Sequence, residues 1–224
     1  MINQKRLVQT LIDLIKIDSP SGQEKNITKE LVNRLKKLGC HVSLDNYGNV
    51  IGRLEGIGKP LLLNAHMDTV EPGKNIKPKV QGDKITSDGT TVLGSDPKAG
   101  ISVILEVIQS LKEDGKKHLP LEMVFTREEE TTFGGALNLD LKQIKAKQGV
   151  ILDGDEQVYN IFISSPTLFT VDAEIIGRGA HAGVEPEKGI SAIKIAAEII
   201  NKLKLGRIDK ETTVNIGLIN GGSA

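Results

Sequence analysis

Two segments near the amino end of the chain carry the hydrophobic pattern of amphipathic helices. Apolar residues between Leu7 and Ile15 recur at helical spacing, and this pattern stops at Pro20 and Gly22, which interrupt helices. Residues 26–38 show the same periodicity, and the glycine that follows them is typical of a helix end. The sequence therefore predicts two helices before the first strand.

Short apolar runs predict the strands. Residues 40–54 contain two strand-like pieces separated by a polar, glycine-containing turn at residues 46–49, which predicts a hairpin. Residues 60–65, 121–126 and 150–152 predict three further strands.

Helical patterns lie between these later strands. Residues 98–112 carry apolar positions at helical spacing, and residues 135–147 predict another helical segment. Residues 71–91 are rich in Gly, Pro and charge, and predict a loop with a short strand pair. Because strands and helices alternate, we expect a three-layer α/β domain over residues 1–160, with a mostly parallel sheet and helices on both faces.

The pattern changes after about residue 160. Residues 162–179 predict antiparallel strands, residues 190–203 an amphipathic helix, and residues 212–220 another strand. This order indicates a second, small α+β domain over residues 161–224.

Composition narrows the classes of function. The 224 residues include 29 Lys plus Arg and 29 Asp plus Glu, so the zero formal charge indicates no nucleic-acid or membrane partner. Cys40 is the sole cysteine, which excludes an intrachain disulfide and fits a reducing compartment. The amino-terminal segment mixes charges into its apolar pattern, unlike a signal peptide, and no apolar stretch is long enough to span a bilayer. We expect a soluble cytoplasmic protein.

Potential metal ligands follow three of the predicted strands. They are His66 and Asp68, the triplet Glu128–Glu130, and Asp153 and Asp155. Open α/β sheets build their sites outside the carboxyl ends of parallel strands. Acidic residues and a histidine placed there repeatedly favour a metal centre.

Each of these signals also has a structural interpretation. His66 and Asp68 are either a loop histidine with a surface aspartate or an imidazole whose second ring nitrogen is held by a carboxylate. Asp96 is either a helix N-cap or a metal ligand. Because Pro97 follows it, the peptide bond between them can be cis at a low cost in free energy. The Glu128–Glu130 triplet is either a solvated face or a metal ligand beside a general base. The order and shared placement of the signals favour the metal centre.

Five blocks of the sequence resemble, in the same order, those of zinc aminopeptidases and aminoacylases of the peptidase T type. The blocks are NAHMDTVEPG, SDGTTVLGSDPKAG, VFTREEE, VILDGD and HAGVEPEKGISAI. The resemblance covers essentially the whole chain and is closest to tripeptide aminopeptidases. It implies a metallopeptidase that acts on short peptides, with a catalytic domain over residues 1–160 and an incomplete lid or dimerisation domain over residues 161–224.

The resemblance also implies a pair of zinc ions. His66 and Asp153 would bind one ion and Glu130 the other, with Asp96 bridging both. One ion instead of two, and Co²⁺ or Mn²⁺ instead of Zn²⁺, stay open as alternatives.

Three further residues receive roles from the resemblance. Asp68 would orient the metal-binding histidine, and Glu129 would be the general base for the zinc-activated water. His181 would stabilise the oxyanion, in cis or across a dimer; without the resemblance, its place between Gly179 and Gly183 indicates a plain turn residue.

The chain departs from the family pattern at several positions. Pro97 stands where the family has a second aspartate, and Glu128 and Thr132 stand where it has glycines. The working pair is therefore either Glu128 with Glu129 or Glu129 with Glu130, and the alignment of the downstream Gly-Ala favours the second.

Family members also continue well beyond this length and supply a final histidine ligand, so the chain resembles a truncated member. Two alternatives to an aminopeptidase stay open. One is a catalytically incompetent homologue that serves as a binding module, and the other is an N-acyl amino acid amidohydrolase. A homodimer is expected if the helix over residues 190–203 leaves apolar surface uncovered.

Overall fold

The structure is a computed structural model that describes residues 1–154, 159–165 and 167–222. The chain forms two compact units, Met1–Ile161 and Phe162–Ala224. No helix in the described part of the chain has the length and apolar character needed to cross a membrane.

The described residues of the first unit form five α-helices and seven strands. The helices are α1 Gln4–Ile15, α2 Lys25–Lys37, α3 Lys98–Asp114, α4 Glu129–Thr132 and α5 Gly134–Leu137. The strands are β1 His41–Leu44, β2 Val50–Leu54, β3 Leu61–His66, β4 Lys79–Gln81, β5 Lys84–Thr86, β6 Leu121–Thr126 and β7 Gly149–Ile151.

Five of these strands form one sheet in the order β1-β2-β6-β3-β7. β2 is antiparallel to β1 and β6, whereas β3 is parallel to β6 and β7. Four of the five strands therefore point the same way. β4 and β5 form a separate antiparallel pair, as predicted for the loop over residues 71–91.

The two faces of β6 show how the layers are built. Leu121, Met123 and Phe125 pack into the main core, which also holds buried residues of α1, α2 and α3. Glu122, which points the other way because side chains alternate along a strand, accepts the backbone N–H groups of Lys145 and Ala146. The sheet is mixed, and the match to a solved structure with helices on both sides of the sheet confirms the predicted α/β class.

The helix predicted over residues 135–147 is wrong in extent. The segment holds only the end of α5 and a single 3₁₀ turn, Leu141–Gln143. Part of its backbone bonds to the sheet instead of to itself, because Glu122 accepts two of its N–H groups and Arg53 donates to its Gln143 carbonyl. These bonds satisfy backbone groups that a continuous helix would have paired internally.

In the second unit, the described residues form the helix α6 Ala192–Lys202, a 3₁₀ turn at Pro186–Lys188, and the two-residue strands β8 Gly206–Arg207 and β9 Thr213–Val214. The helix confirms the pattern over residues 190–203. The antiparallel strands predicted over residues 162–179 are wrong for the described residues, which hold only an isolated bridge from Arg178 to Ile190. A strand needs a partner to bond its backbone groups, and this exposed segment has none assigned over most of its length.

Candidate metal centre

Three strand ends bring the candidate residues to one edge of the sheet. β3 lies between β6 and β7 and is parallel to both, and His66 at its end is in register with Thr126 at the end of β6. The chain then continues from β6 into the acidic turn at Glu128–Glu130, and from β7 to Asp153. Because parallel strands share the same direction, their carboxyl ends meet at this edge.

Asp96 comes from the turn before α3, and a glycine allows that helix to approach the same edge. A Cβ atom on Gly100 would lie 2.2 Å from the carbonyl oxygen of Leu152, so only glycine fits at this position in the first turn of α3. The peptide bond between Asp96 and Pro97 is cis. The N-cap residue of α3 is Pro97, so Asp96 does not cap this helix.

The ring of His66 is the centre of the cluster. Its Nε2 atom lies 3.2 Å from Asp96 Oδ1, 3.8 Å from Glu129 Oε2, 3.9 Å from Asp153 Oδ1 and 4.0 Å from Glu130 Oε1. Two sets of donor atoms, each including His66, lie within 4.8 Å of one another, one with Asp96 and Asp153 and the other with Glu129 and Glu130. One nitrogen and several carboxylate oxygens within this span fit a divalent transition-metal ion such as zinc.

Asp68 lies behind the histidine and is fully buried. Its Oδ1 atom is 3.2 Å from His66 Nδ1 and accepts the backbone N–H of Glu129, while Oδ2 accepts the N–H of Glu130 and the hydroxyl of Ser21. Burial acts to raise the pKa of Asp68, but the contacts with His66, Ser21 and Glu129 outweigh it and lower the pKa to about 2. Asp68 is therefore an ionised carboxylate that accepts two N–H groups of the acidic turn and lies in contact with the imidazole.

Three of the carboxyl groups near His66 have raised pKa values. Burial is the main cause for Glu129, Glu130 and Asp153, and their like-charged neighbours add to it. The pKa of Asp153 is raised to about 7, since burial and nearby Asp96 outweigh the attraction of the imidazole. A cation bound among these oxygens would favour their ionised forms, which is a second reason the site fits a metal.

His66 itself has a raised pKa. Burial of the ring acts to lower the pKa, but the adjacent carboxylates of Asp68, Asp153 and Glu129 reverse that effect. Carboxyl groups thus lie beside both ring nitrogens, with Asp68 beside Nδ1 and the others beside Nε2.

Glu128 points away from this cluster. Its carboxylate accepts the Tyr47 hydroxyl at 2.9 Å and lies 3.3 Å from the guanidinium of Arg127. Of the two pairs that the sequence left open, the structure brings Glu129 and Glu130 to the histidine.

Two predicted positions lie outside the described residues of the first unit. His181 belongs to the second unit and is exposed, where its Nδ1 atom accepts the backbone N–H of Gly183. Its proposed role in stabilising an oxyanion stays a prediction. Asp155 lies outside the described residues.

Several buried polar residues beside the cluster were missed by the sequence reasoning. Glu24 is fully buried and pairs with Arg127 at 2.8 Å. Lys98 is also fully buried, with Nζ 3.2 Å from the Ile17 carbonyl oxygen, and burial lowers its pKa to about 8. The only available signal was their position in polar turns, which does not distinguish a buried charge from a solvated one.

Comparisons with known proteins cover both units. The family model described as Peptidase family M28 matches residues 49–155, and the one described as Peptidase dimerisation domain matches residues 163–224. The Uncharacterized protein YqjE of Bacillus subtilis (strain 168) is 44% identical over an alignment of 233 residues, which covers 100% of this chain and 63% of that protein.

Two solved structures are similar over the whole chain. Aminopeptidase PepT from Bacillus cereus ATCC 10987 matches with a TM-score of 0.79 and 41% identity, covering 100% of this chain and 63% of its own. A tripeptidase from Staphylococcus aureus subsp. aureus Mu50 matches with a TM-score of 0.78 and 35% identity, with the same coverage of 100% and 63%. The chain therefore spans 63% of the length of each of these three relatives.

Proposed function

We propose that this chain, which belongs to the peptidase T-like family of metallopeptidases, carries the metal centre of an aminopeptidase that releases the first residue of tripeptides. The observation that carries the proposal is the convergence of one imidazole and four carboxylates at one edge of the sheet. The names of the two similar structures, an aminopeptidase and a tripeptidase, support the substrate class.

In this proposal His66, Asp96 and Asp153 would hold one zinc ion, and Asp96 and Glu130 would hold a second. Bound zinc would lower the pKa of a water molecule and polarise the scissile carbonyl group. Asp68 keeps the imidazole in one orientation, which is the usual function of a carboxylate behind a ligating histidine. A site with one ion, and loading with Co²⁺ or Mn²⁺, are alternatives that metal analysis distinguishes.

Glu129 is proposed as the general base. Its carboxylate lies beside the histidine, and burial raises its pKa above that of an ordinary glutamate. A carboxylate with a raised pKa takes a proton from water more readily, and it then delivers that proton to the leaving amine. The backbone N–H of Glu129, held by Asp68, keeps the base in place. His181 is proposed as the oxyanion donor on the resemblance alone.

The two proposed domains correspond closely to the two units. Residues 1–160 would form the catalytic domain, and residues 161–224 the lid or dimerisation domain. The match of residues 163–224 to a peptidase dimerisation domain supports a homodimer. A cytoplasmic location is part of the proposal and is supported by the single, buried thiol of Cys40.

The first experiment measures metal content and hydrolysis with the purified chain. We expect at least one zinc ion per chain and release of alanine from Ala-Ala-Ala. Absence of both after addition of zinc would refute the enzyme and favour the alternative of a binding module. Faster hydrolysis of N-acetylated Ala-Ala-Ala than of the free tripeptide would favour the amidohydrolase.

A second experiment tests the base. Replacing a general base typically lowers kcat by about 10²- to 10⁴-fold, so we expect this loss for Glu129→Gln with zinc content unchanged. Glu128→Gln is the matched control, and its effect should stay below about tenfold because its carboxylate is bound to Tyr47 rather than to the cluster. A larger loss of kcat in Glu128→Gln than in Glu129→Gln would assign the general base to Glu128.

A further inference from the structure

The acidic turn at Glu128–Glu130 is anchored through its backbone. Glu128 has a φ of 51°, in the left-handed region that is unfavourable for residues other than glycine. The N–H group of Glu128 donates to Glu24, and those of Glu129 and Glu130 donate to Asp68. Three successive N–H groups are thus accepted by two fully buried carboxylates.

Glu24 accepts four hydrogen bonds at this anchor. Its Oε1 atom accepts the N–H of Gly22 at 2.8 Å and that of Glu128 at 3.1 Å. Its Oε2 atom accepts the Nε and Nη2 groups of Arg127 at 3.0 Å and 2.8 Å. A carboxylate has about four acceptor sites, so the side chain of Glu24 is saturated.

Arg127 extends the anchor to the hairpin between β1 and β2. Its Nη1 atom donates to the carbonyl oxygen of Tyr47, and its backbone N–H donates to the side chain of Asn49. The Tyr47 hydroxyl in turn donates to the carboxylate of Glu128. Glu24 therefore binds the loop before α2 and the acidic turn directly, and it is joined to the hairpin through the guanidinium group of Arg127.

We propose that Glu24 is a positioning residue for the metal centre. By holding Arg127 and the N–H of Glu128, it keeps the turn in the conformation that delivers Glu129 and Glu130 to His66. Its kinetic consequences rest on the proposed function, whereas its effect on the turn does not.

The test compares Glu24→Gln with the wild-type chain. Glutamine keeps the shape but replaces two acceptor sites with an NH₂ group, which leaves Arg127 or the Glu128 N–H without a partner. Replacement of residues that orient ligands typically costs about 10- to 100-fold, so we expect kcat to fall by about that factor with little change in KM. The visible spectrum of the Co²⁺-loaded protein should change as well, and Glu24→Asp, which keeps the charge, should recover part of both.

Glu106→Gln is a matched control. Glu106 is also a buried glutamate, and it pairs with Arg6 through two hydrogen bonds, but its partners lie on α1, α3 and the amino terminus. It should lower stability without changing kcat or the Co²⁺ spectrum.

Hydrogen exchange of the metal-free protein separates this inference from the proposed function. The amide protons of Glu128–Glu130 should lose protection in Glu24→Gln and keep it in Glu106→Gln. If the wild type proves inactive but this loss occurs, the positioning role stands and the proposed function fails. Unchanged amide protection, or lost protection with an unchanged kcat and Co²⁺ spectrum, would overturn the inference. Glu24→Asp carries the same comparison if the glutamine variant does not fold.

Discussion

Helices α2 and α6 carry similar amphipathic patterns but differ in what they bury. In α2, Ile27, Leu31 and Leu35 are fully buried in the core of the first unit. In α6 no residue is buried, and Ile193 and Ile199 are 61% and 47% exposed. The comparison shows that periodicity produces the helix, whereas burial needs a second element that packs against the apolar face.

The same contrast applies to the candidate site. His66 and Asp68 are buried beside the core of the first unit and contact several polar neighbours each. His181, in the second unit, is exposed and bonds only within its own turn among the contacts described. Side chains that are held by a packed scaffold are pre-organised, and His66 and its neighbours in the first unit have this property.

The largest effect that tests the comparison is on stability. Leu31→Ala in α2 should lower the free energy of unfolding by about 2–5 kcal/mol, because it removes buried methyl groups and leaves a cavity in a close-packed core. Urea denaturation followed by circular dichroism measures the change.

Ile199→Ala in α6 is the control for that measurement. An exposed substitution of this kind should change the free energy of unfolding by less than about 0.5 kcal/mol. Equal losses for the two variants would mean that α6 is buried in solution, for example against a second copy of the chain.

The next effect concerns metal affinity. Asp68→Asn should weaken zinc binding by about 10- to 100-fold, because it removes the charge that orients His66 and one acceptor of the acidic turn. Competition with a chelator of known affinity measures the change. An unaltered affinity would remove Asp68 from the centre.

A smaller, pH-dependent effect is expected from Asp153. Metal ligands bind in their deprotonated form, so zinc affinity should fall as the pH drops below about 7, by up to about tenfold per unit for one displaced proton. In the metal-free protein, the free energy of unfolding depends on pH with the opposite sign to the zinc affinity. A carboxyl whose folded pKa is raised from 3.8 to about 7 contributes stability below the lower value, which is lost as the pH rises through the higher one.

Zinc titrations and urea unfolding across this pH range test both signs. Asp153→Asn should flatten both profiles and weaken zinc binding at every pH. If zinc affinity and the free energy of unfolding depend on pH in this variant as they do in the wild type, a group other than Asp153 titrates in this range.

The smallest effect on metal binding is expected from the second unit. His181→Ala should leave zinc affinity unchanged while lowering kcat by about 10²- to 10³-fold, the usual cost of removing an oxyanion donor. Zinc titration and tripeptide hydrolysis of the same variant separate the two readouts. A loss of zinc affinity would contradict the assignment of the whole centre to the first unit.

The sequence by itself determined the α/β class and the elements that bear the candidate ligands. Hydrophobic runs predicted strands that closely match β3, β6 and β7, and polar residues directly after them marked His66, the acidic turn and Asp153. These inferences succeeded because strand and helix periods are local properties, and because parallel strands deliver their ends to a common edge.

Only the tertiary structure decided which acidic side chains face the histidine and what holds them there. Glu24 and Glu128 are 104 positions apart, so no local pattern relates them. Among the described residues of 162–179, the predicted strands are absent for the same reason, since pairing depends on a partner and not on the segment itself. Satisfying a buried charge or a backbone N–H group is a property of the assembled fold, because each such group must find its partner wherever the chain places one.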